Sequence, residues 1–144
     1  MGYLLGLIKA KYVSVPQKHY YAITLLGKQA LGLPKVDQKL ASSILSPVSA
    51  EKAFHFYYGL NQHSGVYADS LKDFADKIQQ VDLKSIEFHF PRKDFELWIR
   101  SLGDLELSKK LVLLRTRNLS GENLRKALYE AVNSRCEELA KLAV

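Results

Sequence analysis

Apolar residues recur at helical spacing through the second half of the chain, and each stretch has its own start signal. The first stretch follows Ser70, which with Asp73 resembles a capping box; its apolar face consists of Leu71, Phe74, Ala75, Ile78 and Val81. Three further stretches follow the capping residues Asp94, Asp104 and Ser120. The last one carries an apolar face of Leu124, Leu128, Val132, Cys136, Leu139 and Ala143. This part of the sequence therefore predicts a mostly helical fold.

A small β-element precedes these helices. Strict alternation over residues 54–58 places Phe54, Phe56 and Tyr58 on one face of a strand, and His55 and Tyr57 on the other. Residues 59–65 are predicted to turn the chain and residues 66–68 to return as a short pairing strand. Residues 84–90 fit a strand and a helix equally well, and Pro91 ends either element.

A second hairpin is predicted near the N terminus. Residues 8–15 are rich in strand formers, Pro16-Gln17-Lys18 supplies a turn, and residues 19–23 form the returning strand. A short helix over residues 25–31 and another over residues 35–45 follow, and Ser46-Pro47 breaks the chain. We therefore predict two parts, residues 1–46 with the hairpin and a linking helix, and residues 47–144 as a helical module.

The positive charge of the chain is concentrated at its N-terminal end. Of the net charge of +6, the residues before Asp37 contribute five lysines and no acidic side chain. Lys9, Lys11 and Lys18 are interleaved with Tyr20 and Tyr21 on the predicted hairpin, which suits contact with a phosphate backbone. A solvated basic face is the plainer alternative.

The first 32 residues resemble the second half of a winged-helix domain. The likeness rests on Gly6-Leu7-Ile8, Tyr12, Tyr20-Tyr21-Ala22-Ile23-Thr24 and Gly27-Lys28-Gln29-Ala30-Leu31. It implies a winged-helix-like hairpin that touches phosphates. The helices that precede the wing in such regulators, including the recognition helix, do not precede it here. Either the chain is a fragment of a longer transcriptional regulator, or the hairpin has been kept for another use.

Residues 49–142 resemble an uncharacterised, largely archaeal family of small domains. The matching motifs are Phe54-His55-Phe56-Tyr57, Gly59, Ala68-Asp69-Ser70-Leu71 with Phe74, Ser85 to Phe90, and Asp94-Phe95 with Trp98-Ile99. The resemblance implies a small β-element packed by helices and favours a helix for the ambiguous segment before Pro91. It implies no activity. Together these features predict an α+β, predominantly helical protein.

Two interpretations of the aromatic residues stay open. His55, Tyr57, His89 and Trp98 are candidates to line a ligand pocket, although satisfied structural histidines and core aromatics are commoner. Trp98 with Phe88, Phe90, Phe95 and Tyr57 is alternatively a stacking platform for the bases of a single strand. Without a residue-by-residue match, the chain also resembles the archaeal single-stranded-DNA-binding proteins called ThermoDBP, in which an aromatic cleft is flanked by basic residues. His19 and His63 look too isolated in the sequence to contribute.

Several classes of function find no support in the sequence. The glycines lack the spacing of a phosphate-binding loop, and no catalytic or metal-ligand motif is present, so we predict no enzyme, no cofactor and no metal. Cys136 is alone and lies on an apolar helix face, which indicates a buried thiol and a reducing compartment. Met1 to Ile8 is too short to span a membrane. We therefore expect a cytoplasmic protein.

The leading functional hypothesis is a non-enzymatic nucleic-acid-associated binding protein, either a regulator fragment or a single-strand binder. The alternative is a module that binds a protein or a small ligand. A wing without its covering helices is expected to leave apolar residues exposed unless another surface covers them, namely Leu4, Leu7, Ile8 and Ile23. This favours a homodimer, with pairing of the last helix between two chains as a further route.

Overall fold

The computed structural model describes residues 13–17, 20–23, 33 and 35–144. The chain forms two compact units, Met1–Lys35 and Val36–Val144. In the first unit, strands β1 (Val13–Gln17) and β2 (Tyr20–Ile23) pair antiparallel, with Val13 opposite Ile23 and Gln17 opposite Tyr20. The predicted N-terminal hairpin is therefore present in the described residues.

The turn of this hairpin lies later than predicted. Pro16 and Gln17 belong to β1, so the prediction that they turn the chain is wrong, and only residues 18–19 separate the two strands. The pairing shifts register between Ser14 and Gln17, and a proline without an N–H is tolerated at such an irregularity. The predicted strand residues 8–12 and the predicted helix over residues 25–31 lie outside the described residues.

The second unit contains six helices and a two-stranded hairpin in its described residues, which confirms the predicted α+β, mostly helical fold. The helices are α1 (Gln38–Leu45), α2 (Leu71–Gln80), α3 (Leu83–His89), α4 (Asp94–Ser101), α5 (Leu105–Arg115) and α6 (Gly121–Ala143). The hairpin consists of β3 (Phe54–Gly59) and β4 (Gln62–Ala68). The ambiguous segment before Pro91 is thus a helix, and α1 belongs to this unit.

Local capping explains most of the helix starts. The side chains of Asp37, Ser70 and Asp104 accept hydrogen bonds from backbone N–H groups in the first turns of α1, α2 and α5. Asp94 departs from the prediction, because it is the first residue of α4 and not its cap. Lys93 takes the capping position with a positive φ of 70° and makes no side-chain capping bond. The Asp94 carboxylate is engaged elsewhere, by His89 and Arg92.

The hairpin β3–β4 is tighter than predicted. Its strands pair antiparallel, with Phe54 opposite Ala68 and Gly59 opposite Gln62, so only Leu60 and Asn61 connect them. The prediction of a turn over residues 59–65 is wrong because Asn61 adopts the positive φ of 59° that a two-residue connection requires. An irregular register in β4 then accommodates Gly65, whose φ is +85°.

The core lies between the inner face of the hairpin and the helices. Phe54 and Phe56, which were predicted to share one face of the strand, are both buried there, whereas Tyr58 at the end of the strand is exposed. The long helix α6 packs against α1, α2 and α5, and its predicted apolar residues from Leu124 to Leu139 are buried within the chain. This face is therefore not available for pairing with a second copy. Burial raises the pKa of the Cys136 thiol to about 11, as expected of a structural thiol.

A charged network lies inside this helical core. Arg135 of α6 is 1% exposed and donates two hydrogen bonds to Asp104, at 2.9 and 3.1 Å. Its Nη1 reaches Glu106 and Glu138, each at 2.8 Å. Burial alone would lower the pKa of Arg135, but the hydrogen bonds and charge of Asp104, with the charges of Glu106 and Glu138, raise it above its ordinary value. The guanidinium is therefore permanently charged and ties α6 to the start of α5.

In the described part of the chain, none of the helices has the length and apolar character that crossing a bilayer requires.

Candidate functional site

The outer edge of strand β3 is closed by a histidine side chain. The backbone N–H of Tyr57 donates to Nε2 of His89 at 2.8 Å, although the two residues are 32 positions apart. His89 ends α3, which begins at the capping residue Asp82, and the short connection before α4 brings Asp94 back beside it. Nδ1 of His89 donates to Oδ2 of Asp94 at 2.8 Å. Both ring nitrogens of His89 are thus engaged.

These contacts fix the state of His89. Because Nε2 accepts and Nδ1 donates, the hydrogen bonds fit the neutral ring with its proton on Nδ1. Burial lowers the pKa of His89 below its ordinary value, and the hydrogen bond and charge of Asp94 offset this only in part. The His89–Asp94 pair resembles a general-base pair in its geometry, but the nitrogen that would take a proton is occupied by the Tyr57 backbone. We therefore assign His89 a positioning role.

The face of the hairpin opposite the core carries four rings in mutual contact, which we call the ring surface: His55, Tyr57, His63 and Tyr67. His55 stacks on Tyr67 with centroids 5.6 Å apart, and His63 lies edge-on to Tyr57 at 4.9 Å. Tyr67 is 47% exposed and His63 is exposed, whereas the other two rings are half-buried. The buried ring of His89 contacts Tyr57 from one side, with centroids 6.2 Å apart, while Tyr67 and His63 remain open to solvent.

A chain of hydrogen bonds holds the two histidines of the ring surface. The Gly65 N–H donates to Nδ1 of His63 at 2.7 Å, and Nε2 of His63 lies 3.0 Å from Nδ1 of His55. Nε2 of His55 lies 2.9 Å from the carbonyl oxygen of Ala50. One set of tautomers satisfies all three contacts, with the proton of each ring on Nε2. Both rings are therefore held in place, which prepares their faces for stacking.

Beside the ring surface, a cavity of about 410 Å³ follows the outer edge of β3, and we call it the edge groove. His55 and Tyr57 belong to both features. The β3–β4 turn supplies Leu60 and Asn61, and the segment from α3 to α4 supplies Phe88, His89, Arg92 and Asp94. The guanidinium of Arg92 lies over the Phe88 ring, 4.7 Å from its centroid, and Nε donates to Oδ2 of Asp94 at 3.1 Å. The groove thus combines aromatic walls with a fixed cation.

The predicted pocket residues are only partly brought together. His55, Tyr57 and His89 line the edge groove, but Trp98 does not. Its indole N–H donates to the carbonyl oxygen of Lys52 at 2.8 Å, and its ring packs on Phe74 with centroids 5.2 Å apart. The predicted stacking platform is also not formed as proposed, because Phe90 and Phe95 are buried. Tyr57 and Phe88 are the members of that set that reach the groove.

The structure also adds residues that the sequence did not indicate. His63 was predicted to be isolated, which is wrong, because it contacts both His55 and Tyr57. The turn at Leu60 and Asn61 brings it opposite Tyr57. Arg92 is a further addition, and its place two residues before Asp94 is the sequence feature that indicates a contact between these two side chains. Among the residues that the structure describes, no three His, Cys, Asp or Glu side chains come together in a way that could hold a metal ion.

The predicted phosphate-contact residues fall mostly beyond what the structure describes. Lys9, Lys11 and Lys18 lie outside the described residues, and their part in binding stays a prediction. Tyr20 and Tyr21 are placed in β2 by the backbone.

The fold and the site together define a small α+β module with a ring surface and a groove on one hairpin. Residues 33–133 match the family described as Family of unknown function (DUF5752), and because this match covers most of the chain, the protein belongs to that family. The expectation that the second part of the chain belongs to a family of unknown function is thus confirmed, but the matched range begins earlier than predicted, so that it includes α1, and it ends at residue 133 and not at 142. Searches of curated proteins and of solved structures found no match.

Proposed function

We propose that this protein is a non-enzymatic nucleic-acid-binding protein that prefers unpaired strands. The observation that carries the proposal is the ring surface, where four rings lie together on a sheet face with Tyr67 and His63 open to solvent. Every unpaired base has a flat face that can stack on such a ring, and each stacked base contributes about 1–3 kcal/mol. In a duplex those faces are already stacked on each other, so a single strand is the better partner.

The distribution of charge supports the same proposal. The first 36 residues carry five lysines and no acidic side chain, whereas the remaining residues hold sixteen basic against fifteen acidic side chains. Several cations of the second unit are also paired internally, among them Arg115 with Glu96 and Lys77 with Asp73. We therefore assign the phosphate contacts to Lys9, Lys11 and Lys18, on or beside a hairpin that resembles a wing. If the protein instead binds double-stranded DNA more tightly than single strands, the hypothesis of a transcriptional-regulator fragment is favoured.

The ring surface is tested by replacing Tyr67 with alanine. We expect the full chain to bind labelled single-stranded DNA or RNA, and Tyr67→Ala to lose about 1–3 kcal/mol of binding free energy. Fluorescence anisotropy measures the dissociation constant at fixed salt. Tyr58→Ala is the matched control, because Tyr58 is 42% exposed but lies on the opposite face of β3 by strand alternation. Equal effects of the two substitutions, or no binding to any single strand, would reject the proposal.

The lysines are tested by the salt dependence of the same binding. Replacing Lys9, Lys11 and Lys18 together by alanine should flatten the slope of log K against log salt by about 2, since a single strand contributes roughly 0.7 per phosphate contact. The control replaces Lys39, Lys109 and Lys126, which are exposed in the second unit. An unchanged slope in the first variant, or an equal change in the control, would show that these N-terminal lysines do not contact phosphate.

The homodimer and the cytoplasmic location belong to the same proposal. A second copy would present a second set of N-terminal lysines to one strand, which raises affinity without a new type of contact.

The alternative function, binding of a small ligand or a partner protein, is favoured by one observation, the edge groove.

A further inference from the structure

The edge groove has a property that the ring surface lacks, a cation fixed in place beside an aromatic wall. The Arg92 guanidinium is held on one side by the Phe88 ring and on the other by Asp94. The side chain is nevertheless 49% exposed, and among the described residues no hydrogen bond involves its two terminal nitrogens. Those nitrogens can donate as a fork to a phosphate or carboxylate group, and the fixed position reduces the entropy lost on binding.

The rest of the groove suits a flat ring with a polar rim. Tyr57 and Phe88 are half-buried, so each keeps ring surface that a ligand can cover. Asn61 lies at the turn and offers an amide, and both of the hydrogen bonds that Asp94 accepts from these side chains go to Oδ2, which leaves Oδ1 able to accept another. A nucleobase has donors and acceptors around its edge, whereas the ring of an aromatic amino acid has few or none.

We propose that the edge groove binds one nucleotide, with the base against Tyr57 and Phe88 and the phosphate on Arg92. A cavity of about 410 Å³ lies within the size range of ligand pockets. Tyr57 belongs to both the groove and the ring surface, so a base in the groove continues directly into the bases stacked on the hairpin. This inference rests on the proposed function where the nucleotide in the groove belongs to a bound single strand. A free mononucleotide offers the same base and phosphate to the groove.

The electrostatics of the groove differ from those of the N-terminal lysines. Asp94 offsets the charge of Arg92, and His89 is held neutral by its two hydrogen bonds. Binding in the groove therefore depends on stacking and on the directed hydrogen bonds of one guanidinium. We expect its affinity to change little with salt, in contrast to the steep dependence of the lysine contacts.

The test titrates the full chain with adenosine and guanosine 5′-monophosphates, and with ribose 5-phosphate as the baseless control, while amide NMR shifts are recorded. We expect the mononucleotides to shift residues around Tyr57, Phe88 and Arg92, and ribose 5-phosphate to shift none of them. Arg92→Gln should weaken mononucleotide binding by at least about tenfold, the equivalent of one charge-assisted hydrogen bond. Arg100→Gln, an exposed arginine on α4, is the matched control and should leave binding unchanged.

A second measurement separates the two sources of the nucleotide. If a single strand displaces the bound mononucleotide from the wild-type chain, the groove serves a base of the strand. If mononucleotides bind but no strand does, the groove proposal stands for a free nucleotide and the proposed function fails. If strands bind while mononucleotides do not, and Phe88→Leu and Arg92→Gln bind strands like the wild type, the groove proposal is overturned and the proposed function stands. Shifts produced only by peptides that end in an aromatic residue would also overturn it.

Discussion

Replacing Arg135 by methionine is expected to lower the free energy of unfolding by about 3–5 kcal/mol, because it removes the cation that pairs with the buried carboxylate of Asp104. Asp104 is 1% exposed and receives two hydrogen bonds from this guanidinium, and Glu106 receives a third. Methionine fills much of the same volume, so the loss reports the charge and not a cavity. Chemical denaturation followed by circular dichroism measures the difference.

Two further variants show whether charge is the cause. A triple variant, Arg135→Met with Asp104→Asn and Glu106→Gln, removes the buried negative charges as well and should recover part of the lost stability. Lys109→Met, at an exposed site on α5, should change stability by less than about 0.5 kcal/mol. A triple variant that is less stable than Arg135→Met alone would contradict the interpretation that buried negative charge without the guanidinium causes the loss of stability.

Replacing Phe54 by alanine should cost about 3–5 kcal/mol of unfolding free energy. Its ring is 6% exposed and stands at the centre of an aromatic cluster, with centroid distances between 4.9 and 5.8 Å to Phe56, Phe74, His89, Phe95 and Trp98. Removing the ring opens a cavity against five neighbours in a packed core, and these neighbours can relax only in part.

The matched control for Phe54 is Tyr58→Ala. By alternation it lies on the same side of β3, but at the strand end where 42% of the residue is exposed. We expect it to change stability by less than about 1 kcal/mol. Urea denaturation of the wild type and both variants measures the three values. Similar losses for the two substitutions would show that the strand contributes through its backbone pairing and not through the Phe54 ring.

The helices could be predicted because their signals are local. A cap such as Ser70 or Asp104 and an apolar repeat such as that of α6 lie within a few turns of the residues they govern. The segment before Pro91 was settled only by resemblance, since its alternation fits two structures. Asp94 shows the limit of such signals, because the same carboxylate can cap a helix or pair with a histidine, and the position of His89 decided between them.

The candidate site could be predicted only in part, because it depends on contacts between distant residues. The pairing of His89 with the Tyr57 backbone joins positions 32 residues apart, and no spacing in the sequence reveals it. The place of His63 follows from a two-residue turn that was predicted to be longer. The burial of Arg135 has a signal in the sequence, because this residue lies within the apolar repeat of the last helix, where a charge requires buried partners.

The hydrogen bond from the Tyr57 backbone to His89 also bears on how this protein limits pairing between the strand edges of different molecules. A free strand edge offers unpaired N–H and C=O groups to the strands of other molecules, and natural proteins protect such edges. Here the imidazole of His89 accepts the hydrogen bond of one backbone N–H on the edge of β3, and it lies where a neighbouring strand would lie. Because burial lowers the pKa of His89, the ring keeps its accepting nitrogen at a pH where an exposed histidine is already protonated. We therefore expect the hydrogen bond from Tyr57 to persist to a lower pH than an exposed histidine would allow, because protonation of Nε2 removes the acceptor.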